Sequence, residues 1–127
     1  MDTLTTRGIS ITVETEYWQP YSQPARDHFV FAYRIHIANT GLEPVRLQRR
    51  CWKVTDSTGH VRMVEGAGVV GETPEIEIGE RYSYTSWCQL RHPLGAMEGF
   101  YTVETAAGET FPVFVPKFVL AAPWQLN

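Results

Sequence analysis

Apolar and polar residues alternate at period two along most of this chain. Ile9, Ile11, Val13 and Tyr17 are interleaved with Ser10, Thr12, Glu14 and Glu16. Successive side chains of a strand point to opposite faces, so this run predicts a strand with one face in water. Residues 18–27 carry Pro20 and Pro24 and form a loop. Phe29, Phe31, Tyr33, Ile35 and Ile37 then alternate with Val30, Ala32, Arg34, His36 and Ala38, the clearest strand in the chain. Asn39-Thr40-Gly41 is turn chemistry, and residues 45–56 predict a third strand whose apolar positions change parity between Leu47 and Trp52. One extra residue near positions 48–50, a β-bulge, would put both halves of that strand on the same core.

Asp56-Ser57-Thr58-Gly59 connects this strand to another over residues 60–65. Further strands are expected at residues 75–78, 81–90, 99–105 and 110–115. Gly79-Glu80, residues 91–95 and Ala106-Ala107-Gly108 punctuate them. No segment has the 3.6-residue periodicity of an amphipathic helix. Short strands at regular spacing, with turn residues between them, predict an all-β fold, an antiparallel β-sandwich of seven or eight strands. No internal repeat, linker or low-complexity tract divides residues 1–127, so a single domain is expected, with residues 1–8 and 122–127 flexible.

Composition adds boundaries. A chain of 127 residues can bury about two thirds of its unfolded surface without staples. A net charge of −3 and a pI near 5.8 give no overall field for nucleic acid or anionic membrane. Residues 1–10 lack the apolar core of a signal peptide, and no apolar run approaches the roughly 20 residues of a spanning helix. The expected location is the cytoplasm, where Cys51 and Cys88 are read as buried reduced thiols.

Gly66-Ala67-Gly68-Val69-Val70-Gly71 has the G-x-G-x-x-G spacing of a dinucleotide fingerprint. That fingerprint needs a helix after it, because the pyrophosphate sits on the helix N-terminus. Here Glu72-Thr73-Pro74 follows, and then Glu75-Ile76-Glu77-Ile78 alternates as a strand. What survives is a glycine loop between strands. Its Gly66, Gly68 and Gly71 either make a sharp turn or expose backbone N–H groups to a phosphate or pyrophosphate, with Arg50 completing the site. Glu65 and Glu72 flank the loop and oppose an anion, and no P-loop Lys-Ser/Thr is present.

Arg46, Arg49, Arg50 and Lys53 form the basic cluster of the chain. Strict alternation would put Arg49 and Lys53 on one side and Arg46 and Arg50 on the other, which argues against a nucleic-acid platform. His28, His36, His60 and His92 show no metal-ligand spacing, and no cofactor motif is present. No nucleophile elbow or local Cys-His pairing marks a catalytic site. Aromatic residues are the remaining signal. Phe114 falls opposite the core face of a strand whose Pro112 and Pro116 confine it to a sheet edge. Trp18 and Tyr21 lie in a proline-bearing loop. Exposed rings of this kind anchor protein interfaces.

Several strings resemble the ApaG family from about Val13 to Pro123. They are Phe29-Val30-Phe31-Ala32-Tyr33, Arg50-Cys51-Trp52 with Thr55-Asp56 and Gly59, and Gly66-x-Gly68-Val69-Val70-Gly71-Glu72-x-Pro74. Others are Gly79-Glu80, Tyr84-Thr85-Ser86 with Cys88, Pro93-x-Gly95-x-Met97-x-Gly99-x-Tyr101, and Pro116-x-Phe118-x-Leu120. The resemblance implies an immunoglobulin or fibronectin type III-like sandwich. It also implies an indirect genetic link to cobalt and magnesium efflux, and a binding role where a similar domain is attached to F-box proteins. Cys51 stands where the family usually has His, which argues against an essential histidine ligand there.

The reading at this level is a non-enzymatic binding or regulatory module that contacts an unidentified protein, with Phe114, Trp18 and Tyr21 as interface candidates. The alternative is a binder of phosphate or pyrophosphate through residues 66–71 and Arg50.

Overall fold

The computed structural model describes residues 2–126, of which Leu126 is described by its backbone alone. Nine strands are present among them: β1 (Thr3–Thr6), β2 (Ile9–Tyr17), β3 (Phe29–Asn39), β4 (Val45–Asp56), β5 (Val61–Ala67), β6 (Glu75–Ile76), β7 (Arg81–Leu90), β8 (Leu94–Thr105) and β9 (Thr110–Ala121). They form two antiparallel sheets. One has the order β1-β2-β3-β7, and the other β5-β4-β8-β9 with β6 paired to the start of β4. With β1 and β6 set aside, this is the three-on-four arrangement of an immunoglobulin or fibronectin type III-like sandwich.

The alternating apolar positions meet between the sheets. Ile9, Ile11, Phe31, Ile35 and Ile37 come from one sheet, and Leu47, Trp52, Tyr101, Val103 and Val113 from the other; all are nearly inaccessible to solvent. Burying each such side chain contributes about 1.5–3 kcal/mol, which makes this interior the main source of stability. The buried amide of Asn39 is satisfied. Its Nδ2 donates to the carbonyls of Glu43 and Ile76, and its Oδ1 accepts from the Gly41 N–H.

The structure departs from simple alternation in four places. Thr3–Thr6, within the segment expected to be flexible, pairs with β2 as a polar edge strand, raising the count from the expected seven or eight to nine. β8 starts at Leu94 and β9 runs on to Ala121, because a second irregularity between Met97 and Gly99 breaks the apolar rhythm there. β6 is only Glu75–Ile76. The fourth departure concerns the basic cluster. The expected bulge is present, the register shifting between Leu47 and Arg49. The extra residue inverts parity, so Arg46 joins Arg49 and Lys53 on the exposed side and Arg50 alone turns inward with Trp52 and Val54. The split is therefore three against one, not the two against two that strict alternation predicts.

β9 is an edge strand of its sheet, consistent with its two prolines. Its outer side is nevertheless occupied. The Phe114 N–H donates to Thr6 Oγ1 at 3.3 Å, tying β9 to β1 of the opposite sheet. Arg7 crosses the same gap, pairing with Glu109 at 3.2 Å and lying 4.0 Å over the Phe111 ring.

Candidate functional site

The opposite edge of the sandwich, between β7 and β5, gathers most of the residues singled out from the sequence. The β2–β3 loop is held rigidly there. Trp18 donates its N–H to the Val30 carbonyl, and Ser22 Oγ both donates to the Trp18 carbonyl and accepts from the Val30 N–H. The first of two short 3₁₀ turns in this loop, Gln19–Tyr21, carries Pro20 and presents the Tyr21 ring. Trp18 and Tyr21 stack with centroids 6.1 Å apart and planes at 22°. Trp87 of β7 meets both edge-on, at 5.1 Å from Trp18 and 6.3 Å from Tyr21. Tyr21 is 64% exposed and Trp87 49%. The indole Nε1 of Trp18 is buried without a hydrogen-bond partner among the described residues.

Trp87 was the residue sequence reasoning missed, although alternation contained the signal. Tyr84, Ser86, Cys88 and Leu90 share one parity and turn inward, so Trp87 must turn outward. Phe114 is not part of this cluster. It lies on the outer face of the second sheet, 46% exposed, with its ring 6.0 Å from Phe100.

On the other side of Trp87 stands the glycine segment, and its geometry accounts for each glycine. Val69 and Glu72 exchange both backbone hydrogen bonds around Val70 and Gly71, and both central residues have positive φ, 48° and 79°. This is the two-residue hairpin turn of primed type, which calls for glycine at Gly71. At Gly68, φ is 59° and an added Cβ would lie 2.0 Å from the Glu72 carbonyl oxygen. Gly66 leaves space for Arg50, whose guanidinium would be 2.7 Å from a Cβ at that position. Val70 is the strained member. A β-branched residue in the left-handed region is a genuine outlier, and its side chain is 63% exposed.

The donors proposed for an anion are largely committed within the protein. The Gly68 N–H donates to the Gln48 carbonyl, and those of Val69 and Glu72 to each other's carbonyls. Arg50 Nη1 donates to the carbonyls of Ala67 and Gly68 at 2.9 and 3.0 Å. Arg50 thus works as a strut that holds the hairpin against β4. Behind the hairpin lies a cavity of about 290 Å³ lined by Arg50, Tyr33, Tyr84, Ser86, Val70 and Trp87, among others. Burial pushes the Tyr84 and Tyr101 phenols up from their ordinary pKa, so both stay protonated. Their hydroxyls are hydrogen-bonded to each other.

Neither cysteine is bridged. Cys88 is buried, and Cys51 is half-buried, less than expected, with Sγ directed at Glu65. Burial raises both thiols above their usual range, the opposite of what a reactive thiolate needs. Among the described residues no three His, Cys, Asp or Glu side chains converge as a metal site. None of their helices is long and apolar enough to cross a membrane.

A two-sheet β-sandwich of fibronectin type III-like topology, with an aromatic cluster and a glycine hairpin at one open edge, is the class of protein these observations define. The ApaG domain family matches residues 19–105. The chain is 50% identical to Protein ApaG of Parvibaculum lavamentivorans over 118 residues, covering 93% of this chain and 91% of the relative. Among solved structures, an X-ray structure of a structural-genomics target superposes with a TM-score of 0.89 at 39% identity, covering 94% of this chain and 91% of that one. A crystal structure from Bordetella pertussis gives 0.88 at 38% identity, with coverage of 91% and 94%. The chain belongs to the ApaG family.

Proposed function

We propose that this protein is a non-enzymatic binding or regulatory module of the cytoplasm that holds a protein partner through Trp18, Tyr21 and Trp87. The observation that carries this reading is the exposure of Tyr21 and Trp87 around a rigidly bonded loop. Ordered aromatic rings supply large contact areas and lose little conformational freedom on binding, which is why they anchor interfaces. Phosphate binding at residues 66–71 has less support, because the Gly68, Val69 and Glu72 N–H groups already donate to protein carbonyls. A link to cobalt or magnesium resistance would then run through the partner.

The test uses the full chain as bait in extract from its own cells, beside Trp87→Ala, Tyr21→Ala and Phe114→Asp, each checked for folding by circular dichroism. A specific partner should be retained by wild type and Phe114→Asp and lost from Trp87→Ala and Tyr21→Ala. Loss from Phe114→Asp alone would move the interface to β9. Retention by all three variants would reject both surfaces.

A further inference from the structure

A larger hollow lies at the same edge, beyond the aromatic cluster, where the β4–β5 and β7–β8 turns face each other. Its volume is about 630 Å³, and its polar lining is Asp56, Thr58, His60, Arg62, Gln89, Arg91 and His92 over an apolar floor of Val54 and Leu90. Arg62 stands opposite Val54 in the β4–β5 register, on the inward side of β5. Its Nη2 donates to the Gln89 carbonyl at 2.8 Å and reaches Cys88 Sγ at 3.5 Å, which fixes the guanidinium across the gap between the sheets. A neutral carbonyl positions the group and leaves its charge uncompensated. Among the described residues, neither Arg62 nor Arg91 has a carboxylate within ion-pair distance.

The single carboxylate of the hollow is already occupied. Asp56 Oδ1 accepts from the Thr58 N–H, the Thr58 hydroxyl and the His60 N–H, at 2.9, 2.6 and 3.1 Å. Oδ2 is 3.9 Å from His92 Nε2. These bonds hold the Asp56 carboxyl below the usual carboxylate range, the Thr58 hydroxyl contributing most. Asp56 is therefore a turn-organising carboxylate that keeps its negative charge. Two guanidiniums stand on the walls against this one carboxylate, on a chain whose net charge is −3. An acidic protein that concentrates unpaired cations in one concavity has built a local field opposite to its overall one.

We propose that this hollow is a binding site for a small polyanion of the phosphate class, with Arg62 and Arg91 as its principal contacts and the side chains of His60 and His92 as hydrogen-bonding neighbours. Arginine matches phosphate oxygens with two parallel N–H donors, which Arg91 can offer, while Arg62, with Nη2 on Gln89 and Cys88, adds single donors from Nη1 and Nε. The volume lies within the range of small-molecule sites. The walls carry no Phe, Tyr or Trp ring for a base to stack on, so recognition is argued from the charged group. This site is separate from the hairpin at residues 66–71, and it stands or falls independently of the aromatic surface.

The experiment is a titration of the isotopically labelled full chain with sodium pyrophosphate, followed by amide and arginine side-chain resonances. Inorganic phosphate and citrate serve as arms that separate phosphate chemistry from charge alone. Saturable shifts are expected at Thr58, His60, Arg62, Arg91 and His92. Arg91→Glu, in an exposed turn and hence well folded, should weaken binding about ten-fold or more. Arg49→Glu, with the same change in net charge on the outer face of β4, should leave it unchanged. The proposal would be overturned by shifts centred on residues 66–71, by equal losses in Arg91→Glu and Arg49→Glu, or by no saturation up to about 10 mM pyrophosphate. Citrate bound as tightly as pyrophosphate would reject the phosphate class.

Discussion

The two open sides of this sandwich are closed by different chemistry. Between β2 and β9 the gap is filled by Phe111, by the Phe114–Thr6 hydrogen bond, and by Arg7, whose charge is met by Glu109. Between β7 and β5 the cross-connections are side chains reaching backbone or hydroxyl groups. Arg62 reaches the Gln89 carbonyl, and Tyr82 donates to Glu72 at 3.1 Å. Hollows exist on both sides, including one of about 440 Å³ beside Arg7. The difference is compensation. The Arg7 guanidinium is already paired, whereas Arg50, Arg62 and Arg91 have no carboxylate partner among the described residues. A flank whose charges and rings are mutually satisfied is architecture. One that leaves cations without a carboxylate and aromatic rings exposed is the flank on which both proposals rest.

Truncation should separate the flanks most strongly. Phe111→Ala, on the closed side and 9% exposed, is expected to cost about 3–4 kcal/mol of stability by urea denaturation. Trp87→Ala, half exposed on the open side, should cost about 1 kcal/mol or less. Equal losses would make the aromatic cluster an extension of the core and break the comparison.

The hairpin gives the next effects, in opposite directions. Gly68→Val must place a Cβ 2.0 Å from the Glu72 oxygen at a positive φ, so a loss of about 2 kcal/mol or more is expected. This substitution therefore tests the turn and not merely an anion site. Val70→Asn puts a residue tolerant of the left-handed region before Gly71, and the urea midpoint should rise by about 1 kcal/mol in stability. No gain would mean that the Val70 side chain makes a contact worth its strain.

Acid sensitivity sharpens the comparison at smaller scale. The Arg7 hydrogen bond holds Glu109 below the usual carboxylate range on the closed side, and the Thr58 hydroxyl does the same for Asp56 on the open side. A carboxylate with a depressed folded pKa adds stability above its unfolded pKa of about 4 and loses it as pH falls toward the folded value. Glu109→Gln and Asp56→Asn should each flatten the fall in stability between about pH 5 and 2. The Glu109 effect should shrink in high salt, because it rests on an exposed ion pair. The Asp56 effect should persist. Identical salt responses would erase the distinction between paired and locally bonded carboxylates.

Much of this architecture was legible along the chain, for a reason visible in particular elements. β3 alternates without interruption and buries five apolar side chains on one face, so period two alone identified it. The bulge at Gln48 could be located because the parity of β4 changes across it. β1 was not legible, since three of its four residues are threonine and it earns its place only by pairing with β2. The extension of β9 beyond Val115 was hidden by the irregularity opposite Glu98.

The site divides in the same way. Trp18, Tyr21, Arg50 and the glycines were visible as residue types with a known chemistry, but their relations were not. By itself the sequence determined a two-sheet β-sandwich of one family, because alternation, turn residues and core volume are local and repeat many times. The tertiary structure alone decided that Arg50 faces inward to brace a hairpin and that Trp87 joins Trp18 and Tyr21. It also decided that Arg62 and Arg91 share a hollow with His60 and His92. Each of these depends on which strand edges come together across a gap, and pairings between residues far apart in the chain leave no mark on local periodicity.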